Sequence, residues 1–149
     1  MTQDEIFMSA ALSEAQKAAF AGEVPVGAVI VRDGEVISSG RNTKETSGIA
    51  TGHAEIEAIE AACRALGTWR LSDCTLYVTL EPCPMCAGAI VNARVGRVVF
   101  GSCDPKAGAM GSVLNFNAYP LNHKPEIATG VLEDECGKIL SAFFASKRQ

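Results

Sequence analysis

The chain has 149 residues, 48% of them apolar and 20% charged, which fits one domain spanning residues 1–149 around a single core. No apolar run approaches the roughly 18–20 residues of a membrane span, and the acidic start Met1-Thr2-Gln3-Asp4-Glu5 lacks the basic-then-apolar order of a secretory leader, so a cytoplasmic protein with no membrane partner is expected. The net charge of −4 means that any nucleic-acid binding has to come from a local basic patch.

Residues 2–21 carry Phe7, Met8, Ala11, Leu12, Ala15, Ala18 and Ala19 at helical spacing, with Gly22 as the stop. Val26–Val31 is apolar and rich in β-branched residues; Asp33-Gly34 and Glu35–Ser38 follow, predicting a strand, a tight turn and a second strand. Residues 41–52 are polar and rich in Gly, Thr and Ser, and read as a loop. Ala54–Leu66 is helical, with Ile56, Ile59, Ala62 and Cys63 available to one side, and Thr75–Leu80 is a short strand. Pro84 suits the first position of a further helix running to about Asn92. Arg97–Phe100 is a buried strand, residues 101–125 are irregular, and a short strand covers Glu126–Thr129. The last helix starts near Glu133, with Cys136, Ile139, Leu140, Phe143 and Phe144 as its apolar face. Acidic residues open it and Lys147-Arg148 close it, as the helix dipole favours. A hairpin followed by strand–helix crossovers gives an α/β mixed sheet with helices on its faces.

Six cysteines, at 63, 74, 83, 86, 103 and 136, in a chain without an export signal do not suggest a disulfide framework. Cys83 and Cys86 alone have a chemically suggestive spacing; the other four read as buried small apolar residues. Pro82-Cys83-Pro84-Met85-Cys86 leads from a strand into a helix, and Gly52-His53-Ala54-Glu55 opens the helix before it. Twenty-nine residues separate His53 from Cys83, the length of one helix-and-strand unit, so a crossover can set the two helix starts side by side.

The chemistry fits a metal. A helix N-terminus favours thiolate, the metal-binding form of cysteine. Two cysteines and a histidine suit zinc, and three protein ligands leave a fourth position for water, the catalytic pattern. Residues two apart inside a helix point apart, so His53 and Glu55 meet only if His53 precedes the regular helix. Zinc with two thiolates is formally neutral and acidifies water less than an all-histidine site, which gives a nearby carboxylate the work of proton transfer. A thiol redox motif, or a structural Cys3His site using Cys63, Cys74 or Cys103, is the alternative for the isolated parts. His-Ala-Glu at this distance from Pro-Cys-x-x-Cys is the zinc-deaminase signature, with His53, Cys83 and Cys86 as ligands and Glu55 as proton carrier.

Nearly the whole chain resembles the bacterial tRNA-specific adenosine deaminases, of the cytidine/deoxycytidylate deaminase superfamily. The match runs through Val24-Pro25-Val26-Gly27-Ala28-Val29, Asn42, His53-Ala54-Glu55-Ile56 and Leu76–Cys83. It continues through Met85–Ala89, Val98–Gly101, Asp104–Gly108, Asn122-His123 and Asp134-Glu135-Cys136 with Phe143-Phe144. The resemblance implies a three-layer α-β-α cytidine-deaminase-like fold around a mixed five-stranded sheet, one Zn2+ per chain and no organic cofactor. It implies hydrolysis of adenosine to inosine at the wobble position of a tRNA anticodon stem-loop, by zinc-bound hydroxide with Glu55 as proton shuttle. Asn42 would hydrogen-bond the nucleoside, the N–H of Ala54 would hold the base, and Val26, Pro25 and Leu80 would wall the pocket. Asp104, Lys106, Arg70, His123, Lys124, Phe144, Lys147 and Arg148 are the candidate RNA contacts. A homodimer is expected, with close helix approach at Gly88 and Ala89. A deaminase of a free base or nucleoside, such as guanine or cytosine, and a non-catalytic zinc or RNA-binding module remain the alternatives.

Overall fold

The computed structural model describes residues 1–147, so Arg148 lies outside the described residues. Helix α1 (Gln3–Phe20) starts at a capping box, in which the Glu5 N–H donates to Thr2 Oγ1 and the Thr2 N–H to Glu5 Oε1. Strands β1 (Gly27–Arg32) and β2 (Glu35–Arg41) form the hairpin; Asp33 and Gly34 both take positive φ, as the predicted two-residue turn requires. A short helix α2 (Lys44–Ser47), helix α3 (Ala54–Leu66), strand β3 (Cys74–Leu80) and helix α4 (Pro84–Ala93) follow. The chain ends with β4 (Arg97–Ser102), a single 3-10 turn at Phe116–Ala118, β5 (Glu126–Thr129) and α5 (Glu133–Lys147).

The five strands are ordered β2-β1-β3-β4-β5. β1 is antiparallel to β2 and β3, whereas β3, β4 and β5 run parallel, so the sheet is mixed as expected. Alternation along the strands splits the core between the faces. Ala28, Ile30, Leu76, Val78, Val98 and Phe100 pack under α3 and α4, while Val29, Val31, Tyr77 and Val99 pack under α1 and α5 with Met8, Ala11 and Cys136. The result is the three-layer α-β-α arrangement. Each fully buried large side chain, such as Phe100 or Ile30, contributes roughly 1.5–3 kcal/mol.

The structure departs from the sequence reading at four places. β2 runs to Arg41 rather than Ser38, because Ser38–Arg41 pair with Gly27–Ile30 and the ladder outweighs the weak strand preference of Ser-Ser-Gly. Residues 44–47, read as loop, make a helical turn. On α5 only Cys136 is buried; Phe143 is half-buried and Phe144 exposed. In the second half of that helix Leu140 packs at the edge of the core, and Leu140 and Phe144 border a surface cavity with Val24, Leu80 and residues 103–106. Cys103 is exposed because it follows the last residue of β4, and Cys63 is only partly buried; Cys74 and Cys136 are buried as expected.

Candidate active site

The site forms where β3 ends and two helices begin. β3 stops at Leu80, and Glu81-Pro82 lead to Cys83, the N-cap of α4, with Pro84 at the first helical position and Cys86 in the first turn. His53 is the N-cap of α3, with extended backbone (φ −100°, ψ 150°), so its ring leaves the helix in a direction that a residue inside it could not take. Both helices lie on one face of the sheet, and their starts converge on the β3 terminus.

His53 Nδ1 lies 3.6 Å from Cys83 Sγ and 3.5 Å from Cys86 Sγ. All three ligand atoms fall within 4.8 Å of one another. A tetrahedral zinc with ordinary Zn–N and Zn–S bonds sets an N···S edge of about 3.6 Å, so the donors fit such an ion in both chemistry and spacing. Cys63, Cys74 and Cys103 are not part of this cluster among the described residues, which removes the basis for a Cys3His structural site. The Cys83 thiol is pulled down to about 4, first by its bond from Cys86 and then, against the opposing effect of burial, by His53. Cys86 is pushed up by its bond to Cys83 and by burial.

Glu55, the second residue of α3, is 4% exposed and outside the ligand set. Burial pushes its carboxyl up to about 7. Asn42 Oδ1 accepts the N–H of Ala54 at 3.0 Å. The predicted base-holding N–H is therefore already engaged, and the bond leaves the Asn42 amide nitrogen as the donor that side chain can offer.

These groups open into a cavity of about 280 Å³ whose apolar walls are Val24, Val26 and Leu80, with His53, Glu55, Cys83 and Asn42 on its polar side. Pro25 and the Ala54 side chain are buried but do not line it. Glu23, Lys44, Glu45 and Glu81 do line it, and none was among the sequence candidates. The only sequence signal for Glu23 and Glu81 is a charge placed beside apolar residues, in Glu23-Val24-Pro25-Val26 and Leu80-Glu81-Pro82.

The candidate RNA contacts divide in two. Asp104, Lys106 and Phe144 line a second cavity, of about 360 Å³, that shares Val24, Leu80 and Asp104 with the first. Arg70 and His123 lie at the other end of the sheet. Arg70 precedes Leu71, whose N–H bonds Ala93 O, and its guanidinium sits 4.8 Å over the Trp69 ring. His123 Nε2 donates to Val95 O at 2.6 Å, just before β4 begins. Lys124 is exposed nearby, and Lys147 lies 5.3 Å over the Phe143 ring.

The family model for MafB19-like deaminases matches residues 1–148. A tRNA-specific adenosine deaminase of Bacillus subtilis (strain 168) is 55% identical over 150 residues, covering 100% of this chain and 93% of that protein. A solved structure from work on A-to-I editing by tRNA:A34 deaminases at the wobble position is similar at a TM-score of 0.88 and 47% identity, covering 91% of this chain and 99% of that one. A guanine deaminase from Nitrosomonas europaea is more distant, at a TM-score of 0.80 and 26% identity, covering 95% of this chain and 84% of that one.

Proposed function

The chain belongs to the MafB19-like deaminases and, among them, to the tRNA-specific adenosine deaminases, and from that membership we propose that it converts the wobble adenosine of a tRNA anticodon loop to inosine as a single zinc-dependent domain over residues 1–149. The observation that carries this reading is a three-donor ligand set with a buried carboxylate beside it but outside it, at the base of a cavity of about 280 Å³.

His53, Cys83 and Cys86 hold one zinc ion, which when bound supplies the Lewis acidity that makes water nucleophilic near neutral pH. Glu55 takes a proton from the attacking water and delivers it to the adenine ring nitrogen next to the amine-bearing carbon. A second transfer carries the proton of the hydroxyl now on that carbon through Glu55 to the departing amine, so adenosine and water become inosine and ammonia. Burial raises this carboxyl above the ordinary carboxylate range, which favours a group that both takes up and gives back a proton. Asn42 donates its amide N–H to the nucleoside, and Val26 and Leu80 give the base its apolar walls.

An anticodon loop suits this site, because single-stranded loops present bases that can be splayed into a pocket at low cost. A neighbouring nucleotide occupies the second cavity, stacking on Phe144 with Lys106 beside its phosphate. Two copies pair through the groove between α3 and α4, where Ile56, Trp69 and Ala89 reach the surface beside Glu60 and Arg94 and Gly88 leaves the helix face open. A cytoplasmic enzyme acting on tRNA follows from this reading. The deciding experiment compares an anticodon stem-loop with free adenosine, guanine and cytidine on the zinc-loaded chain. Inosine is expected in the stem-loop; turnover of free bases alone would replace this reading with that of a free-base deaminase.

A further inference from the structure

Two buried carboxylates beside the cavity have no part in the chemistry above. Glu23 and Glu81 are each 2% exposed, and neither makes an ion pair among the described residues. Burying a charge without a counter-charge is costly unless hydrogen bonds compensate. Here five of the seven compensating bonds come from backbone N–H groups and two from hydroxyls. Glu23 Oε1 accepts the Glu45 N–H at 3.0 Å, and Oε2 accepts both the N–H and the hydroxyl of Thr46. Glu81 Oε1 accepts the Asp104 N–H at 3.1 Å and the Ser112 hydroxyl; its Oε2 accepts the N–H groups of Met110 at 3.0 Å and Ser112 at 3.1 Å.

The two anchored segments flank the site. α2 emerges from the end of β2, residues 104–112 emerge from the end of β4, and β1 and β3 lie between them in the sheet. The first segment brings Lys44 and Glu45 to the cavity, and the second brings Asp104 and Ala107. The second wraps so tightly that a Cβ on Gly108 would lie 2.4–2.5 Å from the Glu81 carboxylate. A surface loop is ordinarily the most mobile part of a fold. An ionised carboxylate is acceptor-only and can gather several N–H donors at once, through bonds about twice as strong as neutral ones.

We propose that Glu23 and Glu81 are positioning residues that fix the two lips of the cavity before substrate arrives, and so set how tightly the anticodon loop is held. This rests on the deaminase reading for its substrate, while the anchoring itself does not. His53 and Cys83 cap α3 and α4, and Glu55 and Cys86 lie in their first turns, so none of the four is on a lip. Loosened lips therefore raise the ordering cost of binding and leave the reacting groups in place.

The test uses zinc-loaded Glu23→Gln and Glu81→Gln, each of which turns an amide N–H toward N–H donors. Zinc per chain is measured first, then amide exchange without RNA, then kcat and KM on the stem-loop. Glu23→Gln should speed exchange about tenfold at Glu45 and Thr46 only, and Glu81→Gln at Asp104, Met110 and Ser112 only. KM should rise roughly fivefold or more with kcat held within about twofold, and Glu23→Asp, which keeps the charge, should recover part of the loss. Unchanged exchange overturns the anchoring; faster exchange at unchanged KM, or a fall in kcat alone, overturns the positioning role. If Glu81→Gln fails to load zinc, Ser112→Ala removes one bond to the same carboxylate and must raise KM in its place. A wild-type chain inert on the stem-loop overturns the substrate, and the exchange pattern still decides the anchoring.

Discussion

At the scale of single residues, the proposed mechanism depends on Glu55 lying beside the trio of His53, Cys83 and Cys86 without belonging to it. Glu55→Gln keeps the size of the side chain and removes its capacity to carry a proton. The variant should retain one zinc per chain and lose about 10²–10⁴ in turnover. Metal analysis and inosine formation check this together, and a kcat within tenfold of wild type would remove Glu55 from the mechanism. His53, Glu55, Cys83 and Cys86 were legible in the sequence because their chemistry is carried by side-chain identity at short spacing, beside recognisable helix starts. Glu23 and Glu81 were not, for a physical reason. Their partners are mainly backbone N–H groups 22–31 residues away, and a backbone N–H leaves no mark on the sequence. Asn42 was expected from the resemblance to contact the nucleoside; that its oxygen is already held by the Ala54 N–H became visible only once β2 and α3 were docked.

At the scale of elements, the site requires α3 to lie very close to β2. A Cβ on Gly40 would come within 2.3 Å of Ala54 O and 2.7 Å of Ala58 N, both backbone atoms with no rotamer to yield. Gly40→Ala should therefore lift the start of α3 and carry His53 with it. A loss of about 1–3 kcal/mol is expected, as for other overpacked contacts, together with weaker zinc binding. Denaturant midpoints and competition with a chelator measure the two effects, and normal zinc affinity in a destabilised variant would show that His53 is held independently of this contact. The hairpin at Asp33-Gly34 could be read in advance because its turn is local. The end of β2 could not, since Ser39, Gly40 and Arg41 become strand only by pairing with Val29, Ala28 and Gly27. The same dependence on context opened the α5 face: its apolar spacing is helical, but only Cys136 is fully buried, Leu140 packs at the edge of the core, and Phe144 is left exposed beside a cavity.

At the scale of the whole molecule, the start of the chain is tied to the centre of the sheet by one carboxylate. Asp4 accepts the Tyr77 hydroxyl at 2.7 Å and both terminal nitrogens of Arg97 at 2.9 and 2.8 Å, joining α1 to β3 and β4. The Arg97 bonds, assisted by Tyr77, hold the Asp4 carboxyl below its ordinary value. A carboxyl depressed in the folded chain adds stability that is present above its unfolded value, near 3.9, and lost as pH falls through the folded value. Burial, with the bond to Asp4, pushes Tyr77 up to about 12, so its contribution is present below its ordinary value near 10 and lost as pH climbs toward 12. Asp4→Asn should therefore cost about 1 kcal/mol at pH 7 after allowance for solvent screening. That deficit should shrink as both proteins are taken toward pH 3, because the wild type loses there what the variant never had. Zinc release in acid acts on both chains and cancels in the difference. Urea unfolding at a series of pH values measures it, and a deficit that stayed constant from pH 7 to pH 3 would mean that Asp4 anchors α1 through packing rather than through its charge.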